Sequence, residues 1–145
     1  MMEFLYNGNM LVVDLAGKSA EELPLPDGFA SEYLGGARAN LALLDLYPEA
    51  DLVLGSGPFT ALPVPGACLA VATLKDGDAV SHTPLHLFAG MELKLSGFDF
   101  VVIGGTAPEP VYLWLHDGIA DVSPAADLPR DNWEALSPVN TIFRD

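Results

Sequence analysis

With 145 residues, half of them apolar and 18% charged, the chain is long enough to bury one sizeable core and too hydrophobic to be disordered. Its 6 basic residues face 20 acidic ones, a net charge of −14, so it has little with which to neutralise phosphates; nucleic acid and anionic membranes are excluded as natural partners. The single cysteine, Cys68, excludes an internal disulfide and a cysteine-held zinc or iron–sulfur cluster.

The longest apolar runs, such as Leu11 to Val13 and Phe100 to Ile103, are far too short to span a bilayer. The opening Met1-Met2-Glu3-Phe4 has no basic region followed by an apolar stretch, so a cytoplasmic location is expected. The acidity reads as solubility for an apolar chain, or as complementarity to a basic protein partner.

In chain order, Met10 to Leu15 has the apolar, β-branched character of a strand closed by Ala16-Gly17, and Pro24, Pro26 and Asp27-Gly28 then break the chain. Phe29 to Leu34 reads as a short helix that Gly35 ends in the left-handed conformation. Ala37 to Tyr47 reads as a second helix with Leu41, Leu44 and Tyr47 on one face, stopped by Pro48. A strand over Leu52 to Leu54 leads into a Gly/Pro-rich loop from Gly55 through Gly66. Leu69 to Thr73 and Ala79 to His82 flank Lys75-Asp76-Gly77-Asp78, a hairpin turn. Leu85 to Leu95 reads as a helix with Leu85, Phe88, Met91 and Leu95 inward, closed by Gly97, and Phe98 to Ile103 as a buried strand. Val111 to Leu115 and Ile119 to Val122 form a hairpin through His116-Asp117-Gly118, and a tail follows with a short helix near Asn132 to Leu136. No linker, repeat or low-complexity tract divides the chain, so one domain over residues 1–145 is expected. Short strands and helices in mixed order favour an α+β architecture over a doubly wound parallel sheet.

Few residues point to chemistry. Gly35-Gly36 before a helix either lets backbone approach an anion or caps one helix and relieves crowding against the next. His82 and His86, with Glu92 beyond, superficially have metal-ligand spacing, but Pro84 between them prevents the continuous helix that would make them converge. Cys68 has no cationic neighbour in sequence and reads as a small apolar residue, and Ser56 lacks the Gly-x-Ser-x-Gly spacing of a nucleophile turn. His116 has no visible partner, and Glu92 and Lys94 point to different helix faces and need none. No residue is assigned to catalysis or to a metal.

Several segments, taken together and in order, carry a resemblance. They are Met10–Leu15, Glu22-Leu23-Pro24, Tyr33-Leu34-Gly35-Gly36 with its helix, Gly57-Pro58-Phe59-Thr60, Ala70-Val71-Ala72-Thr73, Gly90-Met91-Glu92-Leu93-Lys94, Gly97-Phe98-Asp99 and Pro110-Val111-Tyr112-Leu113-Trp114. From about Leu5 to Trp133 this set resembles the N-terminal domain of the tungsten-containing aldehyde ferredoxin oxidoreductases. The resemblance implies a β-rich saddle of two related halves carrying a tungsten bis-pterin cofactor, with later helical domains supplying cluster cysteines and closing over the substrate.

Departures from the family pattern are as informative. Arg38, in Ala37-Arg38-Ala39-Asn40, lies one position from the family's arginine, and Cys68 stands where the family has an arginine facing the cofactor phosphates. The family's polar glycine-rich segment becomes Thr83-Pro84-Leu85-His86-Leu87, and a second glycine-rich cofactor loop expected near the end of such a domain has no match. Gly35, Gly36, Arg38, Gly57, Thr60 and Gly90 are left as the candidate cofactor-binding surface, or as glycines that tight turns of the same fold require.

The resemblance thus leads to a freestanding, degenerate relative acting as a non-catalytic binding or assembly module, with no cofactor expected in the isolated chain. Tungstopterin or molybdopterin is expected if the family function is kept, as in a cofactor-binding subunit of a split oxidoreductase completed by another chain. A small-molecule binder is the third reading, its ligand held where Leu85, Leu87, Cys68 and Leu69 approach the Gly35-Gly36 turn. The expected partners are a second copy of the chain, covering a sheet edge exposed by a shortened second half, or a different protein.

Overall fold

A computed structural model describes residues 5–126 and 128, and its main body is a six-stranded mixed sheet in the order β2-β1-β6-β3-β4-β5. The strands are β1 (Asn9–Asp14), β2 (Ser19–Pro24), β3 (Ala50–Gly55), β4 (Ala70–Asp76), β5 (Ala79–Leu85) and β6 (Phe100–Gly104). A separate two-stranded sheet pairs β7 (Val111–His116) with β8 (Ile119–Pro124). Three short helices, α1 (Phe29–Tyr33), α2 (Gly36–Leu46) and α3 (Ala89–Leu95), complete the mixed α+β architecture among the described residues. None of these helices is long and apolar enough to cross a membrane.

Inside the sheet β1 and β6 run parallel, with Met10 opposite Phe100 and Val13 opposite Ile103. Both strands are apolar without strict alternation because both sheet faces are covered. On one face Met10, Val53, Phe100 and Val102 meet Ala39, Leu43 and Leu44 of α2 and Phe29 of α1. On the other, Leu11, Val13 and Val101 meet Leu93 of α3 and the inner side of the β7–β8 hairpin, Leu113, Leu115, Ala120 and Val122. Burying each such leucine or valine stabilises the fold by about 1.5–3 kcal/mol, enough to hold a two-stranded ribbon that would be marginal alone.

Both expected hairpins form. Asp76 pairs with Ala79 around Gly77-Asp78, and His116 pairs with Ile119 around Asp117-Gly118. Asp117 and Gly118 have φ of 47° and 77°, the paired positive values of a type I′ turn, whose twist matches that of the flanking strands.

The structure corrects the sequence reading in several places. β2, with Glu21 and Glu22 exposed, shows no apolar pattern because it is a solvated edge, yet it pairs with β1 from Asn9↔Pro24 to Asp14↔Ser19. The left-handed cap of α1 is Leu34 (φ 55°, ψ 14°), not Gly35. The inward face of α2 is Ala39, Asn40, Leu43 and Leu44, while Leu41 is exposed. β4 runs on to Asp76 and β5 to Leu85, so α3 begins only at Ala89; its buried residues are Gly90 and Leu93, and Phe88 and Leu95 lie exposed. The helix expected near Asn132 to Leu136 lies outside the described residues.

Candidate functional site

Five of the six candidate residues form a chain of backbone contacts where α2, the Gly55–Gly66 loop and α3 meet the sheet. Gly35 (φ 83°, ψ −172°) lies so close to the loop that a Cβ there would stand 2.6 Å from the Ser56 carbonyl oxygen and 2.8 Å from the Gly57 Cα. Gly36 donates its N–H to the same Ser56 carbonyl at 3.4 Å. The Thr60 hydroxyl accepts the Gly57 N–H at 2.9 Å and lies 3.5 Å from the Leu69 carbonyl. Gly90 closes the series: its N–H donates to the Cys68 carbonyl at 3.0 Å, and a Cβ on it would stand 2.3 Å from the Leu69 oxygen. Gly35 and Gly90 therefore permit backbone-to-backbone packing. Gly36 differs, because its φ of 67° favours glycine while the space a Cβ would fill is open.

Arg38, the sixth candidate, is exposed and sits with its guanidinium 5.7 Å from the centre of the Tyr33 ring. The neighbouring Glu32 carboxylate, ahead of a smaller desolvation effect, raises the Tyr33 phenol above its ordinary range. Cys68 is half-buried rather than fully so. His82 lies on the exposed strand β5, where its Nδ1 is 2.9 Å from the Thr73 hydroxyl. That hydroxyl in turn accepts from the buried Asn40 amide at 3.0 Å, which also donates to the Val71 carbonyl at 2.8 Å. Asn40 thereby ties α2 to β4.

Sequence reasoning missed the buried polar cluster beneath the loop. Lys94, expected to need no partner, donates its ammonium to the carbonyls of Leu5 and Gly57, lies 4.8 Å over the Tyr6 ring and stands 3.9 Å from Asp99 Oδ1. Asp99 is fully buried, and its Oδ2 accepts the Gly8 N–H at 2.8 Å. Burial raises the Asp99 carboxyl above its ordinary value, outweighing the backbone N–H groups and Lys94 that favour the anion. Burial also lowers Lys94, against the opposing charge of Asp99, and Tyr6 is pushed up to about 12, chiefly by burial and secondarily by Asp99. The hydrogen-bonding partners lie 37 to 91 residues apart along the chain, so no local spacing could reveal them.

A cleft of about 690 Å³ opens on the other side of α3, between that helix, the sheet and β7. Leu54, Ala70, Leu85, Leu93 and Leu95 make its floor and wall, with Glu92, Ser96, His116 and Asp117 as polar lining. It is not the pocket expected from sequence: Leu85 lines it, but Leu87, Cys68 and the Gly35-Gly36 turn do not.

A family model described as "Aldehyde ferredoxin oxidoreductase, N-terminal domain" matches residues 10–141. Among curated proteins, the chain is 27% identical over 135 residues to an "Aliphatic sulfonate oxidoreductase, WOR-like subunit" of Pyrococcus furiosus, covering 84% of this chain and 22% of that protein. It is 28% identical over 134 residues to a "Tungsten-containing aldehyde ferredoxin oxidoreductase" of Pyrococcus abyssi, covering 85% and 22%. The chain thus spans about a fifth of the length of the curated relatives it matches. Among solved structures, "Active site complex BamBC of Benzoyl Coenzyme A reductase in complex with 1,5 Dienoyl-CoA" superposes with a TM-score of 0.86 at 20% identity, over 96% of this chain and 23% of that one. At that identity the likeness is one of fold.

Proposed function

The chain belongs to the aldehyde ferredoxin oxidoreductase N-terminal-domain family, and from that premise we propose that it serves as a non-catalytic binding or assembly module built on a cofactor-binding scaffold. The observation carrying this reading is how its candidate residues are used. Gly35 and Gly90 are filled by neighbouring backbone, and Lys94 is taken up by carbonyls and Asp99. Arg38, next in sequence to the Gly35-Gly36 turn, is exposed and lies over Tyr33. A phosphorylated metallopterin needs several cationic and amide donors converging on one surface, which these side chains do not supply. The residues present therefore fit that group poorly.

The test is purification from the native host with elemental analysis for tungsten and molybdenum and fluorescence analysis for oxidised pterin. The proposal expects neither metal nor pterin in stoichiometric amount; either one at about one equivalent overturns it. A second reading, the cofactor-binding subunit of a split tungsten or molybdenum enzyme, is favoured by the open space above Gly36 and by the structural neighbour's being a BamBC complex. In that case Gly36 and Arg38 are this chain's contribution, and the metal appears only in material purified with the companion chain.

A further inference from the structure

Among the described residues the two sheets end on β2 and β5 (the large one) and on β7 and β8 (the small one). An exposed edge invites pairing with another chain, and proteins commonly block it with charge or proline. β2 contains Glu21, Glu22 and Pro24, β5 contains Pro84, and β8 contains Asp121 and Pro124. β7, Val-Tyr-Leu-Trp-Leu-His, contains no proline and no acidic, lysine or arginine residue.

β7 is bonded to β8 along one side. In a hairpin closed by a two-residue turn, the pair next to the turn exchanges both backbone hydrogen bonds, and every second pair outward repeats this. His116↔Ile119, Trp114↔Asp121 and Tyr112↔Ser123 are those pairs. The N–H and C=O groups of Val111, Leu113 and Leu115 consequently point the other way. That side faces the cleft, since consecutive residues Tyr112 to His116 all line it. The hairpin turn is tied to the end of α3, where the Gly118 N–H donates to the carbonyl of Ser96, a lining residue of the cleft, at 2.7 Å. Among the described residues the cleft's charged lining is Glu92 and Asp117, with no lysine or arginine, and Leu128, beyond β8, also lines it.

We propose that the outer edge of β7 is a docking strand for an extended apolar-and-basic segment of another polypeptide, which joins the small sheet as a third strand. The apolar side chains of such a segment rest on Leu85 and Leu93, its main chain pairs with Val111, Leu113 and Leu115, and its basic side chains meet Glu92 and Asp117. Charge selects a different polypeptide over a second copy, which would bring another −14 to an already acidic surface. This inference deepens the binding-module reading and rests on it.

The test titrates the full chain with a short capped peptide of alternating lysine and valine and follows amide hydrogen exchange residue by residue. Binding is expected to slow exchange at Val111, Leu113 and Leu115 by about tenfold or more while leaving Tyr112, Trp114 and His116, already bonded to β8, little changed. The same peptide with glutamate for lysine is expected to bind far more weakly. Leu113→Pro, which removes an outward N–H without breaking a β8 bond, is expected to abolish binding; should that variant not fold, the alternating exchange pattern in the unaltered chain still decides. Saturating peptide with no slowing at the three residues overturns the proposal, as does equal binding of the glutamate peptide. Slow exchange at those residues in the chain alone also overturns it, meaning its own C-terminal residues or, with a doubled mass in sedimentation, a second copy already covers the edge. Failure on these terms with no tungsten or molybdenum in host-purified protein sinks the docking strand alone, whereas recovery of either metal sinks the binding-module reading itself.

Discussion

Gly90→Ala separates a glycine kept for packing from one kept for a ligand. Gly90 lies within α3 and has no positive φ, so alanine meets no backbone penalty and gains about 1 kcal/mol of helix propensity. Its Cβ, however, would stand 2.3 Å from the Leu69 oxygen, 2.4 Å from the Leu69 carbonyl carbon and 2.7 Å from the Ala70 nitrogen. Ordinary contact begins at 3.4 Å, so α3 must retreat by roughly 1 Å from β4. That stretches the 3.0 Å hydrogen bond from Gly90 to Cys68 beyond useful length, a loss of about 1 kcal/mol, and adds about 1–3 kcal/mol of overpacking. Net destabilisation is about 2 kcal/mol, read as a urea midpoint lowered by roughly 1 M at unchanged slope. A midpoint within experimental error of the parent refutes the packing argument and returns Gly90 to the ligand-approach reading.

Three further outcomes follow from the same geometry. Leu34→Gly is expected to raise stability by about 1 kcal/mol in thermal or urea unfolding, because Leu34 holds a left-handed conformation at 51% exposure; a loss of stability counts against it. Tyr6, pushed up to about 12, keeps its proton in the fold while an unfolded chain releases it near 10, so stability falls as pH rises from 10 toward 12. Ultraviolet titration is expected to show a late phenolate step that Tyr6→Phe removes; its persistence in that variant disproves the assignment. Asp99, raised above its ordinary 3.8 by burial, binds its proton more tightly folded than unfolded, so its contribution to stability falls as pH rises from 3.8 through the folded value. Carbon-detected NMR that finds this carboxyl ionising below 3.8 contradicts that account.

The sequence is most legible where hydrophobicity and turn chemistry agree. The central strands near Met10–Leu15 and Phe98–Ile103, the helix ended by Pro48 and the Asp117-Gly118 hairpin all appear within a few residues of their places. β2 escapes notice because an edge strand is held by ladder hydrogen bonds, which Ser19-Ala20-Glu21-Glu22 can make as well as valines could. The helical spacing of Leu85, Phe88, Met91 and Leu95 misleads because α3 starts only at Ala89 and buries Leu93 together with Gly90, whose value is its lack of a side chain. Of the site, the glycines were identifiable as turn and approach residues, but not which approach each serves. Gly35 meets a loop about twenty residues further on, and that distance is a property of the folded sheet, not of local spacing.

The parallel pairing of β1 with β6 sets the order in which this protein can assemble. Met10 finds its neighbour at Phe100, so β1 lacks its parallel partner until the chain has emerged from the ribosome past Phe100. Until then β1 has β2 alone for company, and the greasy strand Leu11-Val12-Val13 waits with one side bare. Contacts so far apart along the chain slow folding and prolong exposure to aggregation. The dense negative charge then has a kinetic use: it keeps unfinished copies apart while the last central strand arrives.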